Sequence, residues 1–143
     1  MTSAYNAICN LLYVYAERID RGDLEGAAEL FRHARVKARQ GVIGHEALLA
    51  FWKRMIILHE DGTPRTKHVV SNPIVEVDEA AGLAASRCYY QVLQAFPDQT
   101  VRVIAAGRYH DEFERADGVW RFKFRDYTLM DMRGDLSRHV PTL

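Results

Sequence analysis

Thr66-Lys67-His68-Val69-Val70 marks the change of period that decides this chain's architecture. Before it, apolar residues recur every three or four positions; from Thr66 onward they alternate with polar ones, so the chain passes from helices to strands. That order defines an α+β domain. A curved antiparallel sheet is expected to wrap over about three N-terminal helices and leave a cone with an internal pocket.

Downstream, strands are expected over 66–78, with a bend at Asn72-Pro73, and over 83–96, 100–115 and 119 to about 132. The last two join at Ala116-Asp117-Gly118, the clearest hairpin turn in the chain. In the third of the chain's five expected strands, Ser86, Cys88 and Tyr90 share one face. In the last, Trp120, Phe122 and Phe124 face inward while Arg121, Lys123 and Arg125 form a wet or partner-binding face. The same parity makes Asp126 an inward carboxylate, unless it only closes the strand with an ion pair.

Upstream, Ile8, Leu11, Leu12, Tyr15 and Ile19 describe an amphipathic helix capped by Thr2 or Ser3. Gly22 is suited to end it, and Asp23 to cap a short second helix through Phe31. Arg35 to Arg39 reads as a short edge strand. The stripe Ala47, Leu48, Phe51, Trp52, Met55, Ile56 and Leu58 is a third helix, ending before Asp61-Gly62-Thr63-Pro64.

Composition narrows the function. With 143 residues, 48% of them hydrophobic, the chain supports one domain over 1–143 with a full core. Nineteen basic residues balance nineteen acidic ones, so no net field draws in nucleic acid or an anionic membrane. The apolar stretch Ala4–Tyr15 is short and runs straight into Glu17 and Arg18, which suits neither a signal peptide nor a membrane span. Cys9 and Cys88 read as free buried thiols, in keeping with a cytoplasmic protein. The histidines at 33, 45, 59, 68, 110 and 139 show no metal-binding spacing, and no glycine-rich phosphate loop or nucleophile motif is present. The expectation is therefore no metal and no cofactor.

Three stretches carry a resemblance that spans nearly the whole chain: Ile19-Asp20-Arg21, Thr66-Lys67-His68, and Gly107-Arg108-Tyr109 leading to Asp117-Gly118-Val119-Trp120-Arg121-Phe122. With the order of elements, the chain resembles the SnoaL-like family of the nuclear transport factor 2-like superfamily, which includes polyketide cyclases, scytalone dehydratase and hexachlorocyclohexane dehydrochlorinase. The resemblance implies a buried dyad of Asp20 and His68. It also exposes departures from the dehydratase pattern, since Ile19 and the Val36 region stand where that branch places tyrosines, and Cys88, Tyr89 and Tyr90 stand where it places a second histidine.

A histidine whose Nδ1–H donates to a buried carboxylate offers Nε2 as a base, and the carboxylate stabilises the imidazolium that forms. The expectation is a cofactor-independent lyase or isomerase acting on a small apolar or aromatic metabolite, with His68 and Asp20 catalytic. Tyr15, Trp52, Cys88, Tyr90, Tyr109 and Asp126 are the candidate substrate contacts. The blander readings are a strand-start histidine bonded to a carbonyl and a solvated turn aspartate. A different class stays open: a non-catalytic ligand-binding or assembly module resembling the small subunit of ring-hydroxylating dioxygenases. The convex sheet face, with Ile104 and Ala106 among charged residues, points to a homo-oligomer, a dimer first and a trimer next.

Overall fold

A computed structural model describes residues 2–143. The elements in order are α1 (Ala4–Asp20), α2 (Leu24–Glu29), β1 (Arg35–Ala38), β2 (Gly41–Ile43), α3 (His45–Met55), β3 (Thr66–Asp78), β4 (Leu83–Ala95), β5 (Val101–Ala116), β6 (Val119–Asp126) and β7 (Met130–Arg133). The sheet runs β2-β1-β6-β5-β4-β3, with β7 paired to β5. It is an open, curved sheet whose long strands are antiparallel, but β1 joins β6 in parallel, so the whole is mixed. The Arg35–Arg39 segment is therefore not an edge strand: β2, absent from the sequence reading, pairs outside it.

The helices form as their caps dictate. Ser3 Oγ accepts the Asn6 N–H at 3.2 Å to start α1, and the Asp23 carboxylate accepts the Gly26 N–H at 2.9 Å to start α2. Between them Gly22 sits at φ +80°, and a Cβ there would stand 2.0 Å from the Gly62 carbonyl oxygen. Only glycine lets the end of α1 settle against the loop that leads into β3. That contact brings Asp20 to the first residues of the strand.

α3 stops at Met55, three residues short of the sequence stripe. Ile56 is extended, and Ile57 donates its N–H to the His139 carbonyl at 2.9 Å, so the C-terminal segment takes over the pairing that a longer helix would have used. The core lies between helices and sheet, where Tyr15, Phe31, Trp52, Phe113 and Phe122 are almost wholly buried. Phe31 stacks on Phe122 with ring centroids 4.5 Å apart.

Bulges reset which residues face this core. β3 shifts register between Ser71 and Ile74, with Asn72 at φ +56°, at the expected bend. In β5 the partners jump from Val92↔Ala105 to Leu93↔Val103, leaving Ile104 extra and turned inward. Ile104 is thus core and not part of the convex face; Val103 takes that place, 54% exposed. In β6 the partners jump from Phe113↔Phe122 to Glu112↔Phe124, so Lys123 is the extra residue. Parity inverts there, which buries Arg125 and turns Phe124 and Asp126 away from the core.

The expected fifth strand is also broken. Its ladder ends at Asp126 and resumes at Met130, both parts pairing with β5. Across the gap, Tyr127 donates its N–H to Lys37 and Leu129 accepts from the Arg108 N–H, each at 2.9 Å. Gly107 permits the break, because a Cβ on it would stand 2.2 Å from the Leu129 oxygen.

Candidate active site

Asp20, at the last residue of α1, and His68, the third residue of β3, meet beneath the sheet. His68 Nδ1–H donates to Asp20 Oδ1 at 2.6 Å, and the His68 backbone N–H donates to Oδ2 at 2.8 Å. Thr66 Oγ1–H also donates to Oδ1, at 2.9 Å. Three donors from one strand start fix the carboxylate, and the carboxylate fixes the imidazole in the tautomer that leaves Nε2 free. Both side chains are buried, 6% exposed for His68 and 8% for Asp20.

His68 lies on the wall of a cavity of about 450 Å³ while Asp20 stands behind it. Trp52, Tyr90 and Tyr109 line the same cavity with Phe51, Val92 and Met130. Tyr90 and Tyr109 stack with centroids 4.5 Å apart. Burial, with neighbouring phenols adding to it, pushes the ionisation of Tyr15 and Tyr109 well above the ordinary range, so this aromatic wall stays uncharged.

The other expected contacts fall elsewhere. Tyr15 is one layer back, and its hydroxyl meets the cavity only through the Tyr127 hydroxyl, 2.6 Å away. Cys88 points inward but is packed into the core off the wall, its thiol pushed up to about 11 chiefly by burial. Asp126 is corrected outright: the Lys123 bulge turns it to the outer face, into a groove with His110, Glu112 and Phe124. There it accepts from the Thr128 N–H and hydroxyl and pairs with Lys37 at 3.8 Å.

Sequence reading missed the residues that follow β6. Tyr127 reaches the wall because the strand breaks beside it, a break with no sequence signal apart from Gly107 opposite. Leu136, His139 and Val140 close the cavity from a C-terminal strap that has no regular periodicity. The strap is latched to the loop after α3, where His59 Nε2–H donates to the Arg138 carbonyl at 3.1 Å in addition to the Ile57–His139 bond. The His139 ring lies edge-on to His68 with centroids 5.9 Å apart, and its Nδ1 is buried without a partner. Burial, then the neighbouring His68, lower its pKa to about 3, so at neutral pH His139 is an uncharged ring beside the dyad.

Arg125, assigned by parity to the wet face, is instead wholly buried. It grips Asp111 with two hydrogen bonds, Nε–H to Oδ1 at 2.7 Å and Nη2–H to Oδ2 at 3.0 Å. Its guanidinium carbon lies 3.9 Å from the Tyr109 centroid and 4.4 Å from that of Tyr15. Burial alone would depress its pKa, but the Asp111 carboxylate more than offsets this and raises it. Cys9 and Cys88 are both free and buried. Among the described residues no group of three or more His, Cys, Asp or Glu side chains is placed to hold a metal, and no helix is long and apolar enough to cross a membrane.

Such a histidine–aspartate pair in an aromatic cavity under a curved sheet defines a class of fold and site, and sequence comparison gives the family. The chain belongs to the SnoaL-like domain family, whose pattern matches residues 1–126. The C-terminal strap therefore lies beyond the matched region. Among solved structures, a protein of unknown function with a cystatin-like fold from Nostoc punctiforme is similar with a TM-score of 0.72 at 17% identity, over 94% of this chain and 97% of that one. A candidate scytalone dehydratase from Novosphingobium aromaticivorans gives 0.68 at 22% identity, over 92% and 86%. The beta subunit of a candidate aromatic-ring-hydroxylating dioxygenase from the same organism gives 0.68 at 21%, over 94% of each chain. These likenesses establish the nuclear transport factor 2-like, cystatin-like fold, and they include both a candidate dehydratase and a dioxygenase beta subunit. Among curated proteins no sequence matches.

Proposed function

We propose that this protein is a cofactor-independent lyase or isomerase in which His68 removes a proton from carbon next to a carbonyl or leaving group. The observation that carries the reading is the 2.6 Å bond from His68 Nδ1–H to Asp20, made by a histidine that lines a 450 Å³ aromatic cavity. Asp20 holds the ring with Nε2 as the base and balances the imidazolium charge after proton transfer. The surrounding apolar wall keeps water from competing for the carbanion-like centre. Neutral His139 and the Tyr127 hydroxyl are among the polar groups on the wall available to an oxygen of the substrate.

The test needs no natural substrate. α-Tetralone, a small bicyclic ketone, is incubated with the protein in D₂O and its α-carbon deuteration followed by NMR. The expected result is exchange faster than with imidazole at the same concentration, falling about a hundredfold in His68→Ala. Exchange that is unchanged in that variant removes His68 as the base.

The assembly reading is favoured by one feature, the outer face of β3, β4, β5 and β7. Val69, Ile74, Tyr89, Val103 and Met132 are 41% to 69% exposed there, and none of them lines the cavity. The face is suited to a second copy of the chain, so a homodimer is the oligomer this reading expects. Light scattering should then give twice the chain mass, and Tyr89→Arg with Val103→Asp should halve it. A monomeric wild type at roughly tens of micromolar, the range where such interfaces hold, dismisses the dimer.

A further inference from the structure

The rim of the cavity carries a charge pattern that the dyad does not use. No carboxylate side chain lines the cavity, but two guanidinium groups do, Arg39 from the turn between β1 and β2 and Arg133 from the end of β7. Both are exposed, which places them at the opening, with Gln40 and Thr128 as neutral exposed neighbours on the lining.

The arginines elsewhere are almost all engaged. Arg21, Arg32, Arg65, Arg87, Arg102, Arg108, Arg115, Arg121 and Arg125 sit in ion pairs. Arg18 and Arg35 donate to the carbonyls of Gly26 and Val42, and Arg54 lies over the Phe51 ring. Among the described residues only Arg39, Arg133 and the strap's Arg138 make no such contact, and two of these three stand on the rim. In a chain whose formal charges balance, free guanidinium groups gathered where no acidic side chain lines the wall make an electropositive entrance to an apolar chamber.

We infer that the ligand of this cavity is an organic acid: a ring-containing apolar body that fills the chamber, with a carboxylate held at the rim by Arg39 and Arg133. The inference rests on the reading of the cavity as a small-molecule site and narrows its substrate class. Guanidinium forks match a carboxylate in shape and stay charged at any working pH, so they select the anion over its neutral relatives. The tyrosine wall, uncharged and stacked, accepts the ring, and His68 is left to reach a C–H bond of the seated body.

A matched pair of ligands tests this. 2-Naphthoate and 2-naphthamide have nearly the same shape and differ in charge, and their binding is measured by isothermal titration calorimetry at low and high sodium chloride. Naphthoate should bind about tenfold more tightly than the amide at low salt, an advantage that shrinks at high salt as the rim charges are screened. In an Arg39→Gln/Arg133→Gln double variant, whose changes are on the surface, the advantage should disappear while amide binding is unchanged. Equal affinity of the two ligands for the wild type, or an undiminished preference in the double variant, overturns the inference. Failure of both ligands to bind overturns it together with the cavity as a ring-binding site. His68→Ala should leave the naphthoate preference intact, so loss of the catalytic reading and loss of this one give different results.

Discussion

The interior holds two paired carboxylates that look alike on paper and differ in almost every physical respect. Asp20–His68 joins a helix end to a strand start, partners its carboxylate with an imidazole, and has one edge on a cavity. Asp111–Arg125 joins neighbouring strands, has a cation that cannot lose its proton, and is sealed at 0% exposure under the rings of Tyr15 and Tyr109. On the proposed function, the first is the pair through which a proton would come and go. The second is arranged so that nothing moves, and what it holds in place is the tyrosine wall against which a ligand would lie.

The sharpest way to break this contrast is to remove one partner of the sealed pair. Arg125→Ala leaves the Asp111 carboxylate buried without its cation and should cost about 4 kcal/mol, measured by urea unfolding. Replacing both, as Arg125→Met with Asp111→Leu, should recover most of that loss, because the desolvation cost leaves with the charges. A single change that costs under about 1 kcal/mol contradicts the view that the buried charge needs its partner. The double variant should also loosen the tyrosine wall and weaken ligand binding, since the guanidinium is the surface on which Tyr109 rests.

A second test concerns the ring that stands beside the dyad. His139 has a folded pKa of about 3 against 6.5 when unfolded, lowered first by burial and then by His68, with His59 acting in the same direction and Asp20 opposing. The unfolded chain therefore binds a proton that the native one refuses. Stability from this group is complete above pH 6.5 and falls as pH drops toward 3, by about 1.4 kcal/mol per pH unit. His139→Phe should remove that slope, so the variant gains on the wild type as urea unfolding is repeated from pH 7 to pH 5. Parallel pH curves for the two proteins place His139 outside the linkage.

Much of this fold was legible because its signals are local. The switch of period at Thr66, the Asp117-Gly118 turn and the caps at Ser3 and Asp23 each lie within a few residues of what they cause. Arg125 and Asp126 show where such reading ends. One unpaired residue, Lys123, exchanges their faces, and a bulge is set by the fit of β5 against β6 rather than by any composition within β6. Tyr127 and His139 were hidden for a related reason, since a broken strand and a strap have no period to detect. Asp20 and His68 could be matched as a pair, but their approach depends on Gly22 meeting Gly62, a contact between segments forty residues apart in sequence.

The smallest effect expected separates the two pairs most cleanly. His68→Ala removes the Nδ1–H donor, but Asp20 keeps the Thr66 hydroxyl and the residue 68 backbone N–H, at 2.9 and 2.8 Å. The carboxylate is thus still solvated by protein donors, and the stability cost should be about 1 kcal/mol, the ordinary worth of one hydrogen bond. That is a fraction of the Arg125→Ala loss, although both substitutions delete the partner of a buried carboxylate. If His68→Ala were to unfold the protein as readily as Arg125→Ala, the dyad would be a structural clamp and its cavity position incidental. If it keeps the fold and loses α-tetralone exchange, the two remaining donors at the start of β3 are what allow a buried carboxylate to serve chemistry without the structure depending on its partner.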